Sequence, residues 1–191
     1  MNQPELVEQL QQGNESAFSK LVDEWQDMVY NTAIGIVQNP QDADDITQEV
    51  FMQVYQSISS FKGESKFSTW LYQITLSKAL DQEKKKKRKK RFAFVQQLFG
   101  NQGEELVQSI EFEHPGILME KKESAQALFK ALKQIPDNQR IAFTLHKLEG
   151  QSYLEIAEIM NTSLYAVESL MSRAKANLKK QLNKYYSNNK Q

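Results

Sequence analysis

Apolar residues along this chain recur at three- and four-residue spacing, and the period-two alternation of a half-buried strand is absent. Only seven glycines and four prolines interrupt 191 residues, so long stretches run without a helix breaker. The pattern predicts an all-α protein. Residues 4–12 read as a short first helix, stopped by Gly13-Asn14. Asn14 caps a second helix, on which Phe18, Leu21, Val22, Trp25, Val29, Ala33 and Ile36 form one stripe. Asn39 caps a third, with Pro40 at its first position and Asp42 near the positive end of its dipole. Its inward positions are Ala43, Ile46, Val50, Val54 and Ile58, which leaves Asp45, Gln48, Glu49 and Met52 on a face the core does not need. Ser65 or Ser68 caps a fourth helix, whose inner face takes Trp70 or Leu71, Ile74, the stem of Lys78 and Leu80.

The rhythm fails over residues 92–121, where Gly100, Gly103, Pro115 and Gly116 sit among scattered apolar and acidic residues. A stretch this long exceeds the connections found inside compact domains. It predicts a linker between two small helical domains, residues 1–91 and 122–191. Phe92, Phe94, Leu98, Phe99 and Phe112 are unusual in a solvated tether and read as groups that dock. Four helices follow: 121–134 with Ala125, Leu128, Phe129 and Leu132 inward, and 137–148 with Ile141, Ala142, Leu145 and Leu148 inward. Then come a short helix capped by Ser152, with Leu154, Ile156, Ala157 and Ile159 inward, and a long one capped by Ser163 that reaches Tyr185. The last two, joined by the tight turn at Asn161-Thr162, have helix-turn-helix spacing. Such a module lays its second helix in the DNA major groove, and Tyr165, Glu168, Ser169, Ser172, Arg173 and Lys175 are the groups in reach. A plain helical hairpin has the same spacing, and that reading stands beside it.

Charge changes the picture. The formal net charge is zero, yet residues 1–83 carry 13 acidic and 4 basic side chains, and Lys84 to Arg91 is an unbroken basic run of eight. Residues 123–191 carry 6 acidic and 10 basic side chains. Screening fades charge beyond ~8–10 Å, so a polyanion responds to these local fields and not to the sum. Just before the basic run lie Phe61, Phe67, Trp70 and Tyr72, and aromatic faces beside cations stack unpaired bases. Trp70 at helical spacing is more often a core residue than a base platform, and both readings stand. Composition also excludes several classes. With no cysteine there is neither a disulfide nor a thiolate metal site. No apolar run reaches the ~18–20 residues of a membrane helix and the N-terminus has no signal-peptide pattern, so the cytoplasm is the expected address. Asp44-Asp45 could begin a magnesium site, but no second acidic motif completes one. His114 and His146 lack spacing partners and read as surface residues, so an enzyme is not expected.

In their order, these segments resemble the extracytoplasmic-function (ECF) type sigma factors of bacterial RNA polymerase. Ala17-Phe18 and Tyr30, the run Asp42-Ala43-Asp44-Asp45-Ile46-Thr47-Gln48-Glu49-Val50-Phe51, the block from Phe61 to Ile74, and Asp81 look like that family's region 2. Ile135-Pro136 with Gln139-Arg140, the run from Leu148 to Met160, and Val167-Glu168-Ser169 with Arg173-Ala174 look like its region 4. The resemblance implies that Asp42, Asp45, Gln48 and Glu49 dock on the polymerase core. It implies −10 promoter contacts by Phe61, Lys62, Gly63, Phe67, Ser68, Thr69, Trp70, Tyr72 and Ser77, with Lys84, Lys85, Arg88 and Arg91 on phosphates. It implies −35 contacts by Arg140, Ser163, Leu164, Tyr165, Glu168, Ser169, Ser172, Arg173 and Lys175.

The implied partners are core polymerase, through its largest and second-largest subunits, promoter DNA and an anti-sigma factor. No cofactor, metal or small-molecule substrate is implied. The chain departs from the family at Leu76-Ser77, where many relatives carry Arg-Asn, and at Glu168 and Leu170, where many carry basic residues. Its base preferences therefore cannot be copied from them. The alternative is a two-domain DNA-binding regulator that acts without polymerase, for which the Asp45-Gln48-Glu49 face would have no use.

Overall fold

The computed structural model describes residues 3–99 and 119–188, with side chains at 4–92, 125–185 and 187. Every regular element among them is helical: α1 (Gln3–Gln11), α2 (Glu15–Val37), α3 (Pro40–Ser57), a 3-10 turn (Ile58–Ser60), α4 (Phe67–Phe99), α5 (Met119–Lys133), α6 (Asp137–Lys147), α7 (Tyr153–Ile159) and α8 (Leu164–Asn188). The caps fall where the sequence puts them. Asn14 Oδ1 accepts from Ala17 N at 3.1 Å, and Asn39 Oδ1 from Asp42 N at 2.9 Å. Ser152 and Glu155 form a reciprocal capping box, and Ser163 Oγ accepts from Ala166 N at 3.2 Å. One cap differs. Helix α4 begins at Phe67 with Lys66 O accepting from Trp70 N, so Ser68 lies inside the first turn and Ser65 outside it.

Helices α2, α3 and α4 form a three-helix core, with Leu21, Val29, Ile36, Val50, Val54 and Leu71 fully enclosed. Each such side chain contributes about 1.5–3 kcal/mol by leaving water. On α4 the buried line is Phe67, Leu71, Thr75 and Ala79, with Tyr72 and Leu76 beside it. Of the expected inner face, Leu71 is the member of the Trp70-or-Leu71 pair that is buried, while Trp70, Ile74, Lys78 and Leu80 are half-buried. Helix α4 also continues to Phe99, eight residues past the expected domain edge. Most of the expected linker, including Phe112, and His114 lie outside the described residues, as do the side chains of Phe94, Leu98 and Phe99.

The C-terminal helices do not stand apart. Ile141, Ala142 and Leu145 of α6, Ile156, Ala157 and Ile159 of α7, and Val167 and Met171 of α8 join one continuous core with α1–α4. A second, smaller core of Ala131, Leu132, Ile135, Ala174 and Leu178 ties α5 to α8. Burial at the end of α2 shows the cause. Thr32, Ile34, Gly35 and Val37 are buried as well as the expected stripe, so the last turns are enclosed all round, α3 and α4 on one side and α6 on the other. Gly35 lets α6 approach: a Cβ there would stand 2.5 Å from Thr144 Cγ2. Glycine inside a helix costs about 1 kcal/mol relative to alanine, and here that cost is offset by close packing. Two inward expectations do not hold. Leu148 is 42% exposed because α6 ends one residue earlier, and Leu154 is 63% exposed because the short α7 buries only Ile156, Ala157 and Ile159.

Candidate polymerase and promoter surfaces

Helix α3 presents the first surface. Asp45, Gln48 and Glu49 are exposed, with Glu49 3.4 Å from the Lys78 ammonium of α4. Asp42, expected on the same surface, is mostly covered: its carboxylate is ion-paired to Lys86 and accepts from Gln82 Nε2 at 2.8 Å. It fastens α3 to α4 and has little left for a partner. Beside the acidic positions runs an open apolar groove between α2 and α3, lined by Phe18, Val22, Phe51, Met52 and Tyr55. Met52 and Tyr55 are 61% and 58% exposed, and Phe18 meets Tyr55 edge-to-face at 5.3 Å. Sequence reasoning assigned Phe18 to the core and passed over Tyr55. The signal was there, since Gln48, Met52 and Tyr55 follow one another at four- and three-residue spacing.

The second surface is the loop before α4 and that helix itself. Lys62, Gly63, Glu64, Ser65 and Lys66 are exposed, and Gly63 adopts φ 72°, a left-handed conformation that a residue with a Cβ enters at a cost. Gln11 of α1 donates to the carbonyls of Ile58 and Phe61 at 3.1 and 3.0 Å and holds the start of the loop, a bracing role no motif announced. Phe61, Phe67 and Trp70 pack together with centroid separations of 5.0–5.7 Å, and Trp25 backs Phe67 at 6.1 Å. Phe67, Thr69 and Tyr72 are buried, so these expected −10 contacts are not presented in this conformation. Phe61, Ser68 and Trp70 are half-buried, and Ser77 is exposed. Both readings of Trp70 survive in part, since one portion packs on the core and another meets solvent. Farther along α4, Lys84, Lys85, Lys87, Arg88 and Arg91 line a concave surface together with Asp45, Glu49 and Asp81.

The third surface is the N-terminal part of α8. Ser163, Leu164, Tyr165, Glu168, Ser172, Arg173 and Lys175 are exposed and Ser169 half-exposed, while Val167 at 0% exposure packs back toward α7. Tyr165, at 80%, is the most exposed large hydrophobic side chain described. Arg140 behaves differently from the rest of the expected −35 set. It is 2% exposed, and its guanidinium is held by Asp137 at 2.8 Å and by Glu83 of α4 at 3.3 Å. In this arrangement it is a bridge between halves of the molecule. His146, expected at the surface, is half-buried, with Nδ1 2.9 Å from the Gln151 carbonyl and its ring edge-on to Tyr153.

Contacts between α4 and the region around α7 continue the bridge. Tyr72 donates to Glu149 Oε2 at 3.2 Å and accepts from Gln151 Nε2 at 3.1 Å, Gln73 donates to the Glu158 carbonyl at 3.2 Å, and Lys66 pairs with Glu155 at 3.3 Å. Burial, reinforced by the Glu149 charge, pushes the Tyr72 phenol well above its ordinary value. Burial also raises the Glu149 carboxyl, against the lowering effect of the Tyr72 hydrogen bond. Glu155 shifts the other way, because it accepts hydrogen bonds from the Ser152 backbone and hydroxyl and from Lys66. Among the described residues no group of three or more His, Asp or Glu is placed to hold a metal, and no helix is long and apolar enough to cross a membrane.

Comparison with known proteins agrees with this layout. Residues 21–89 match the sigma-70 region 2 family model, and residues 125–178 match that of sigma-70 region 4. The chain is 34% identical to the ECF RNA polymerase sigma-E factor of Escherichia coli (strain K12), over 89% of this chain and 88% of that protein. It is 30% identical to the RNA polymerase sigma-H factor of Pseudomonas aeruginosa, over 93% and 92%. Among solved structures, the sigma factor RpoE in complex with the anti-sigma factor NepR from Bartonella quintana aligns with TM-score 0.61 and 25% identity, over 87% of this chain and 96% of that one. CnrH in complex with the cytosolic domain of CnrY shares the fold, with TM-score 0.68 and 22% identity over 95% and 97%. With regions 2 and 4 both matched, in order, and a sigma-E relative aligned over 89% of the chain, this protein belongs to the ECF sigma factors, the subunits that bring RNA polymerase core to promoter DNA for transcription initiation.

Proposed function

We propose how its residues divide that work. Asp45, Gln48 and Glu49, with the apolar groove of Phe18, Met52 and Tyr55, dock on core polymerase. Charge at the rim sets orientation and on-rate while the groove provides buried area. The loop from Phe61 to Ser68 captures a −10 base of the non-template strand. Phe61 and Trp70 serve as its stacking wall, and Lys84, Lys85, Arg88 and Arg91 neutralise the flanking phosphates. The exposed start of α8 reads the −35 element, with Arg173 and Lys175 on phosphates and Tyr165, Glu168, Ser169 and Ser172 toward the bases. The chain catalyses nothing itself and works in the cytoplasm. By analogy with the RpoE–NepR complex, an anti-sigma protein restrains it.

What carries the reading is a single helix, α3, that exposes an acidic rim and an apolar groove side by side, the rim bordering the basic residues of α4 and the groove facing α2. A regulator acting on DNA alone has no use for that face. Reconstitution of core polymerase with the protein, scored by promoter-dependent initiation, tests it. Duplex binding without association with core would overturn it.

A further inference from the structure

We infer that Gln11 is a positioning residue for base capture: its carboxamide, presented by the corner between α1 and α2, sets where Phe61 stands beside Trp70. This rests on the −10 reading above. A glutamine carboxamide has two N–H donors, and here both find an acceptor. Nε2 donates to Ile58 O at 3.1 Å and to Phe61 O at 3.0 Å, the carbonyls at the two ends of the 3-10 turn. The Phe61 N–H closes the same turn on Ile58 O at 3.1 Å. Phe61 is thus held by its N–H and by its carbonyl, and its ring lies 5.0 Å from that of Trp70 and 5.7 Å from that of Phe67. Phe67 is itself buried at the start of α4, so the exposed loop from Lys62 to Lys66 hangs between two fixed ends. A stacking wall already in place spares an incoming base the entropy of ordering it.

The corner that presents Gln11 is written in the next three residues, Gln12-Gly13-Asn14. Gly13 takes φ 75°, and a Cβ there would meet nothing within 4 Å, so the position needs glycine for its backbone angle and not for room. Gly13 N–H donates to Leu10 O and Asn14 N–H to Gln9 O, each at 3.0 Å, the paired bonds of a Schellman motif. Asn14 is at the same time the N-cap of α2, with Oδ1 accepting from Ala17 N at 3.1 Å. The two helices therefore meet through a joint with no slack residue. Leu6 and Leu10, at 4% and 6% exposure, seat α1 on the core. Gln11 is exposed, so water competes for both carbonyls, and its bonds depend on a corner that delivers the carboxamide already in place.

Gln11→Met keeps the length, neutrality and helix propensity of the side chain and removes its donors. The full-length variant is assembled with core and titrated with two probes from a promoter selected by the wild-type holoenzyme: the single-stranded non-template −10 oligonucleotide and the −35 duplex. Gln11→Met is expected to weaken binding of the −10 strand about fivefold, the scale of one net hydrogen bond. Promoter opening, followed by 2-aminopurine fluorescence in the −10 element, is expected to slow, while affinity for core and for the −35 duplex stays unchanged. Gly13→Ala, which strains the corner without touching the loop, is expected to give the same pattern. The double variant is expected to lose less than the product of the two single effects, because both act through one clamp. In a Phe61→Ala background, Gln11→Met is expected to change nothing further. A Gln11→Met holoenzyme with unchanged affinity for the −10 strand would overturn the inference, as would one that loses all three affinities together. If Phe61→Ala alone leaves the −10 strand as tightly bound as in wild type, the capture reading itself fails, and this role of Gln11 with it.

Discussion

Arg140 offers the sharpest contrast between a family role and a structural one. As a −35 phosphate contact, its replacement by alanine would weaken duplex binding across all sequences and lower the salt slope by about one. The structure gives the opposite sign for the free chain. The guanidinium is 2% exposed and bonded to Glu83 and Asp137, whose side chains keep 14% and 34% exposure. Removing one partner of a fully buried pair costs ~3–5 kcal/mol, and the water left to both carboxylates brings the expected loss for Arg140→Ala to about 2–3 kcal/mol. The Asp137 bond is an i,i+3 contact within α6 and survives separation of the halves, at a value of a few tenths of a kcal/mol. The remainder belongs to Glu83 and to the bridge between the halves.

Thermal melts should therefore fall by roughly 4–10 °C for a chain of this size. A double-mutant cycle with Glu83→Gln should return a coupling of about 1–2 kcal/mol. Free-chain affinity for a −35 duplex should rise or hold. An unchanged melt, with affinity lost and a shallower salt dependence, would refute the bridge assignment and return Arg140 to the phosphate backbone.

Three further outcomes are expected. Glu49→Lys should weaken association with core about tenfold or more, measured by competition for core, while circular dichroism stays unchanged because the position is exposed and its ion pair with Lys78 lies at the surface. Ser152→Ala removes the side-chain cap of a seven-residue helix and should cost about 1 kcal/mol, read as a melt lowered by ~2–4 °C. Glu155 is depressed in the folded chain, so its contribution is present above the usual carboxylate range and lost as pH falls through the folded value; the wild-type advantage over Ser152→Ala should shrink in acid. For Glu149 the sign reverses. Its folded carboxyl is raised, so protonation favours the folded chain at low pH and that gain is lost as pH rises through the folded value. Glu149→Gln, which resembles the neutral form, should melt higher than wild type at neutral pH and converge with it as pH falls below the ordinary carboxylate range.

The elements were legible because they are local. Asn14, Asn39, Ser152 and Ser163 announce helix starts, and the stripe on α3 names its buried residues apart from Phe51. That on α2 finds Leu21, Val29, Ala33 and Ile36, while Phe18, Val22 and Trp25 are only half-buried. What the sequence could not show is the second side of α2. Thr32, Ile34 and Gly35 lie off its stripe, and nothing in their spacing says that α6, more than a hundred residues later, covers them. The same blindness hid the pairing of Arg140 with Glu83 and of Tyr72 with Glu149, because a charge or hydroxyl on a helix reads alike whether it faces solvent or another domain. Asp42 shows a milder form of the problem. Its place in the first turn of α3 was clear, but the hold of Lys86 and Gln82 on its carboxylate depends on how α4 crosses above it.

Helix α4 runs unbroken from Phe67 to Phe99, about 50 Å at 1.5 Å per residue. It therefore acts as a ruler. The half-turn of loop at one end and the cations beginning at Lys84 are separated by a fixed ~25 Å and a fixed angle, with no joint between them to absorb error. A single residue inserted near Leu80 would leave every side chain on the helix intact, yet rotate everything beyond it by ~100° and advance it by only 1.5 Å. The basic residues would then face a different side of the helix from the loop they follow. Where Lys84, Lys85, Arg88 and Arg91 meet phosphates as proposed, the register of one helix, more than the number of its positive charges, would decide which ones.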